Sequence, residues 1–383
     1  MRLELVATCL FGLEKLLGDE IEALGYEKIS TIDGRVTFLG DEEAVALSNV
    51  FLRYAERVFI KLGSFRAESF EELFEGTRRL PWADFIGKQD AFPVKGHSIR
   101  SALFSIPDCQ AIIKKAVVRS MSERYGIDIF PEDGAKLQIE FFVLNNEASL
   151  MIDTSGTALH KRGYRKESLG APIRETLAAA IAAISRPREN VLLWDPMCGS
   201  GTIAIEAAMQ MKNIAPGVNR AFAAEDFGFM DKSHFARARE EAREGEIKTE
   251  FQAFASDIDP AAVALAEKNA RLAGVSDVVK VFSQDARKIS AEGRRGTIVT
   301  NPPYGERLLN QREAEKLYTE IGAQFRSLSP WQVYIITSHP SFEKFYGVRA
   351  DKVRKLYNGM LPCYLYQYFK SEARKEMDKK KRK

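Results

Sequence analysis

Four short apolar runs between Val191 and Thr300, each closed by a polar or glycine-rich turn, commit the second half of this chain to an α/β pattern. The first, Val191-Leu192-Leu193-Trp194, leads through Asp195-Pro196-Met197-Cys198-Gly199-Ser200-Gly201-Thr202 into Ile203–Met209, which has helix-forming composition and apolar spacing. This reads as strand, glycine turn, helix. Gly199 and Gly201 let the backbone turn tightly and approach a ligand, and the helix beyond offers free N–H groups. An ordinary strand-to-helix connection is the alternative for such a turn taken alone. No Gly-Lys-Ser/Thr follows, which disfavours a nucleotide P-loop.

The second run, Phe251–Ser256, ends at Asp257-Ile258-Asp259-Pro260, and a helical pattern resumes from Ala261 to Gly274. Asp259 ahead of Pro260 suits an N-cap with proline at the first helical position, which leaves Asp257 to accept the hydroxyls of a ribose. The third run, Val278–Phe282, reaches Ser283-Gln284-Asp285-Ala286, where Asp285 is a candidate acceptor for an adenine amino group or else a solvated turn residue.

The fourth, Gly296–Thr300, delivers Asn301-Pro302-Pro303-Tyr304. Two prolines remove two backbone donors and stiffen the chain, so the Asn301 side chain and the Pro302 carbonyl form a fixed pair of acceptors. Such a pair suits an exocyclic amine on a nucleobase. It can hold both hydrogens, turn the nitrogen toward an electrophilic methyl and stabilise the charge that develops. Tyr304 is placed to stack on the base.

Here the chain resembles class I S-adenosylmethionine-dependent methyltransferases with the Asn-Pro-Pro-Tyr signature. It is most similar to the THUMP-domain RNA methyltransferases that make N2-methylguanosine in large-subunit ribosomal RNA. The resemblance runs from Met1 to about Lys370, and is most specific at 301–308, 195–202, Leu159–Arg165 and Ala171–Glu175. It implies a ferredoxin-like domain (1–65), a THUMP RNA-binding domain (66–155), a Rossmann-like seven-stranded methyltransferase domain (156–371) and a basic tail (372–383). It also implies that Asp195, Pro196, Cys198, Gly199, Ser200, Gly201 and Thr202 hold the methionine end of S-adenosylmethionine, with Asp257 and Ile258 at the ribose and Asp285 and Ala286 at the adenine. Asn301, Pro302, Pro303 and Tyr304 would hold the target base, Asn301 would also line the donor site, and a helix opening at Pro172 would cover the donor. One departure stands out: 62 residues separate Asp195 from Asp257, against about 20 in the dinucleotide-binding unit. An insertion at Asn213–Glu250, with a charged helix-like run from Lys232 to Glu246, accounts for it.

With 383 residues, 45% of them hydrophobic, the chain is too long for one ordinary core. Its four widely spaced cysteines and four histidines form neither a disulfide framework nor a metal-ligand pattern, so no metal and a reducing cytoplasm are expected. The apolar opening Leu3–Phe11 is closed by Glu14, Lys15, Asp19 and Glu20, which reads as a strand entering a helix, with no signal peptide or membrane span. The net charge of +3 is concentrated in the tail, where seven Lys or Arg face three acids, so RNA binding must use local patches. Lys95, Arg100, Lys114 and Lys115 lie in the THUMP-like region, the last two on a helix from about Cys109 to Tyr125. Lys161, Arg162 and Arg165 form the densest basic stretch outside the tail and are placed on the RNA path. At the far end, Val333–Thr337 reads as a strand and Lys355–Tyr357 with Leu365–Phe369 as a closing antiparallel pair.

The expected activity is methyl transfer to the N2 amine of a guanine in 23S ribosomal RNA or a large-subunit assembly intermediate. A guanine in transfer RNA, an adenine N6 amine, and a non-catalytic RNA-binding assembly factor stay open as alternatives.

Overall fold

The computed structural model describes residues 2–167, 173–304 and 310–369. They form two units. The first gathers the chain up to Cys9, Leu17–Leu159 and Gly217–Ala242; the second gathers Leu10–Leu16, His160–Pro216 and the chain from Arg243 onward.

In the first unit, β1 (Leu3–Thr8), β2 (Lys28–Ile32), β3 (Arg35–Gly40), β4 (Arg57–Arg66), β5 (Val94–Ile99), β6 (Ile139–Leu144) and β7 (Glu147–Asp153) make one sheet, ordered β2-β3-β1-β4-β7-β6-β5. Four helices accompany them: α1 (Glu14–Ala23), α2 (Glu42–Phe51), α3 (Phe70–Arg78) and α4 (Ile106–Tyr125). Local chemistry fixes their ends. The Asp41 carboxylate accepts from the Ala44 N–H at 2.9 Å, Ser69 and Glu72 form a capping box, and α4 carries Pro107 in its first turn and ends at a left-handed Gly126. The expected boundary near residue 65 falls within β4. That ten-residue strand pairs with β1 on one side and β7 on the other, so the ferredoxin-like and THUMP-like parts share a continuous sheet.

The inserted segment is divided between the units. Its helix, α7 (Ser233–Glu244), follows the sequence pattern, yet Gly217–Ala242 packs in the first unit rather than with the methyltransferase-like body. Apolar burial explains this. Phe222 stacks on Phe235, Phe229 meets Phe85 edge to face, and the Gly217 N–H donates to the Val50 carbonyl at 2.8 Å.

The second unit contains β8 (Leu192–Asp195), β9 (Ala253–Asp257), β10 (Val279–Ser283), β11 (Gly296–Thr300), β12 (Gln332–Thr337), β13 (Lys352–Asn358) and β14 (Leu361–Tyr368), with helices α5 (Glu175–Ser185), α6 (Thr202–Met211), α8 (Pro260–Leu272), α9 (Gln311–Ser327) and α10 (Phe342–Tyr346). The strand order is β10-β9-β8-β11-β12-β14-β13: five parallel strands closed by the antiparallel pair expected from sequence. Ala314, Tyr318, Ile321 and Phe325 form the apolar stripe of α9 and pack into a core with Trp194, Ile298, Trp331 and Ile335. The order reverses at β8, whose chain leaves toward β9 and returns through β10 to β11. In such sheets ligands bind at the carboxyl ends beside this switch point.

Candidate active site

Strands β8, β9, β10 and β11 run parallel and end at Asp195, Asp257, Ser283 and Thr300, so the loops bearing the sequence motifs leave one edge of the sheet together. Asp195 is buried. Its Oδ1 accepts from the Thr300 hydroxyl at 2.7 Å and from the Met197 N–H at 3.3 Å. Burial pushes its carboxyl up to about 7, against the pull of these two donors and with a smaller push from the Asp257 charge. Pro196 and Cys198 are also buried, and desolvation holds the Cys198 thiol well above its usual range.

The turn after β8 depends on its glycines. Gly199 and Gly201 sit at φ +51° and +78°, and a Cβ at Gly201 would come within 3.0 Å of Ala266 Cβ. The Gly199 N–H donates to Asp257 Oδ2 at 2.9 Å, and the other carboxylate oxygen accepts from the Asp259 N–H at 3.0 Å. Asp257 is therefore fastened to the glycine loop, while Asp259 caps α8 through the Ala261 N–H. A Cβ on Gly199 would meet nothing within 4 Å, and the neighbouring Ile258 is 64% exposed. Open space beside a fixed carboxylate and a bare apolar side chain fits a nucleoside.

Asp285 has partners that the sequence does not reveal. Its Oδ1 accepts from the Arg287 N–H, and both oxygens accept from the Arg287 guanidinium at 2.7 to 3.0 Å, which holds the carboxyl below its usual range. Ala286 is buried in the core beside it. At β11, the Tyr304 hydroxyl donates to Asn301 Oδ1, so Tyr304 is turned in on the very acceptor expected to meet the amine. Pro302 is buried, and the Pro303 carbonyl accepts from the Tyr318 hydroxyl at 2.7 Å. Gly305–Leu308, Ala171–Pro172 and the basic tail lie outside the described residues.

Three basic residues expected at RNA, Arg162 and Arg165 on the path and Lys114 in the THUMP-like patch, have acidic partners within the chain. Arg162 is 2% exposed and faces Glu206, itself 0% exposed, at 3.5 Å; the Tyr164 hydroxyl donates to the same carboxylate at 3.0 Å. Arg165 donates to Thr202 Oγ1 at 3.0 Å, to the Ile173 carbonyl at 2.8 Å and to Glu175 at 2.8 Å. Burial raises the Glu175 carboxyl and the Arg165 charge opposes it. These acids supply counter-charges that make burial of the arginines tolerable. A signal was present: Glu175 and Glu206 are isolated acids in otherwise apolar helices. Lys114 pairs with Glu132 at 2.6 Å and lies 3.4 Å over the Phe92 ring, so it braces the first unit. Lys95, Arg100, Lys115 and Lys161 are exposed. Sequence reading also missed Thr300 and Tyr318, which no local pattern distinguishes from core residues.

Among the described residues, no group of three or more His, Cys, Asp or Glu is placed to hold a metal, and no helix is long and apolar enough to cross a membrane. The family described as "RMKL-like, methyltransferase domain" matches residues 162–367, a RlmL ferredoxin-like domain matches 4–59, and a THUMP domain matches 67–153. The chain is 42% identical over 368 residues to "Putative RNA methyltransferase YpsC" of Bacillus subtilis (strain 168), covering 95% of each protein. A crystal structure from Listeria monocytogenes str. 4b F2365, described as a "predicted N6-adenine-specific DNA methylase", superposes with a TM-score of 0.90 at 42% identity, over 97% of both chains. SMU.472, "a putative methyltransferase complexed with SAH", superposes with a TM-score of 0.90 at 41% identity, over 97% of this chain and 99% of its own. The chain belongs to the RMKL-like family of S-adenosylmethionine-dependent methyltransferases, with RlmL ferredoxin-like and THUMP domains ahead of the methyltransferase domain.

Proposed function

We propose that this protein methylates the N2 amine of a guanine in 23S ribosomal RNA, acting on the RNA itself or on a large-subunit assembly intermediate in the cytoplasm. The observation that carries the reading is the convergence, at one edge of a parallel sheet, of the open glycine loop fastened to Asp257 and of Asn301 with its two prolines. RNA as substrate is favoured by the THUMP domain and by the name of the Bacillus relative.

In this reading S-adenosylmethionine supplies an electrophilic methyl. Asp195, Pro196, Cys198, Gly199, Ser200, Gly201 and Thr202 would hold its methionine end, with Arg165 bracing Thr202. Asp257 would accept the ribose hydroxyls and Ile258 would cover the nucleoside; Ala286 would back the adenine end, where Asp285 keeps acceptor capacity beyond its bonds to Arg287. Tyr304 must leave Asn301 for the side-chain oxygen to become an acceptor. Asn301 and the Pro302 carbonyl then hold the two amine hydrogens, and the freed ring stacks on the base. Catalysis is mainly positioning, with no nucleophile from the protein. Lys95, Arg100, Lys115 and Lys161 contact phosphate. As domain boundaries we adopt 1–65, 66–155 and 156–371, with Gly217–Ala242 contributed to the first unit.

Nucleoside mass spectrometry tests this. RNA and DNA from cells lacking the gene are incubated with purified protein and isotopically labelled S-adenosylmethionine. Label in N2-methylguanosine from large-subunit RNA is the expected result. Label in N2-methylguanosine from transfer RNA moves the address, and label in N6-methyladenine replaces the base, as the description of the Listeria neighbour would have it. No label in any fraction, with RNA binding intact, would instead leave a non-catalytic assembly factor.

A further inference from the structure

The β13–β14 hairpin ends in a two-residue turn, Gly359-Met360, and Met360 is 95% exposed, more than any other large hydrophobic residue among those described. Strand β13 pairs antiparallel with β14, as β12 does, so β13 runs parallel to β12 and its end points to the same edge as Thr300. Cross-strand registers fix its height. Thr300 is level with Ile335, Ile335 with Tyr366, and Tyr366 with Val353, which puts Asn301 level with Arg354. Asn358 lies four residues further on, so the turn projects about 13 Å past Asn301 at ~3.3 Å per residue. It stands two to three strands to the side, roughly 10–14 Å.

The prong is firm and its flanks are cationic. Seven registered pairs hold the hairpin, and the Arg174 N–H donates to Asn358 Oδ1 at 3.3 Å. The Arg174 guanidinium lies 3.4 Å from the position of a Cβ on Gly359, and Lys355 lies 5.4 Å over the Tyr357 ring. Phe11, half exposed, packs edge to face on Tyr357 at 5.5 Å, so Met360 is not a solitary apolar tip. Turns of this kind ordinarily carry polar residues.

We propose that Met360 is a wedge for structured RNA: it enters the base stack beside the target nucleotide and keeps the gap open while the extruded base occupies the Asn301 pocket. Enzymes that modify a base inside a helix must extrude it, at a cost of a few kcal/mol, and proteins that unstack base steps insert apolar side chains, methionine among them. A soft, unbranched thioether fits such an irregular gap. Arg174 and Lys355 are placed for the neighbouring phosphates. The proposal rests on the RNA-methyltransferase reading above.

The test compares initial rates of methyl transfer to RNA from cells lacking the gene, presented folded in magnesium and unfolded by heat without it, for wild type, Met360→Ala and Met360→Leu. The wedge predicts that Met360→Ala loses at least tenfold on folded RNA and less than twofold on unfolded RNA, that Met360→Leu stays within about threefold of wild type, and that donor Kd is the same in all three. Equal rates for Met360→Ala and wild type on folded RNA, or an equal loss on both forms, overturn it. If wild type itself transfers no methyl to RNA, the underlying reading fails and the wedge falls with it.

Discussion

The Thr300 hydroxyl donates to Asp195 Oδ1 at 2.7 Å, joining the ends of two adjacent strands that lie 105 residues apart in the chain. One end opens the glycine loop and the other delivers Asn301, so this bond sets the loop of the proposed donor site against that of the target-base site. Thr300→Val keeps the shape and removes the donor. It should cost about 1–2 kcal/mol in stability and raise the donor Kd about tenfold, as read by chemical denaturation and calorimetric titration. An unchanged Kd would separate the bond from donor binding.

Asp195 makes stability depend on pH in a defined direction. Its carboxyl titrates near 7 in the folded chain, against 3.8 as the ordinary value, so between about pH 4 and 7 the folded state holds a proton that the unfolded state has released. Stability from this group is complete below pH 4 and is lost as pH rises through 7. Asp195→Asn removes the titration. Its unfolding midpoint should therefore gain on wild type steadily from pH 4 to 8, and a constant difference would contradict the raised value.

Asn301→Ala should abolish most turnover while leaving donor affinity nearly intact, because in the proposed mechanism the main partner of this side chain is the target amine. Tyr304→Phe keeps the ring and deletes the hydroxyl that occupies Asn301. Its kcat should stay within about fivefold of wild type, whereas Tyr304→Ala should fall at least a hundredfold. Single-turnover rates with saturating donor distinguish these outcomes.

Tyr318→Phe removes the donor to the Pro303 carbonyl without emptying the core position. Tyr318 is fully buried, and burial pushes its hydroxyl up to about 12, so it remains a donor throughout the working pH range. We expect kcat to fall about tenfold with donor Kd unchanged. A parallel loss of donor binding would show that Tyr318 supports the whole edge and not the Pro303 carbonyl alone.

Glu206→Ala leaves the buried Arg162 without its facing carboxylate and should destabilise the second unit by about 3–5 kcal/mol. Glu206→Gln, which still accepts from Tyr164, should recover part of the loss. Guanidinium unfolding curves give both values; a loss below 1 kcal/mol in the alanine variant would mean that the pair contributes nothing beyond its neighbours.

Composition and spacing already specify the elements and the chemistry offered at their ends. Apolar runs at strand length, glycines at left-handed turns and the rigid Asn-Pro-Pro-Tyr loop are local features, and local sterics write them directly into composition and spacing. Which way charged side chains face, and what they meet, is set by long-range packing. Arg162, Arg165 and Lys114 look like RNA ligands in basic stretches, yet each meets an acid, Glu206, Glu175 and Glu132 respectively, that lies 44, 10 and 18 residues further along the chain. The same holds for Tyr304 closing on Asn301, for Arg287 claiming Asp285 and for the phenylalanines that draw Gly217–Ala242 into the first unit. A buried charge is tolerated only where a counter-charge arrives, and apolar surface goes wherever it is covered; both depend on neighbours that one-dimensional spacing does not specify.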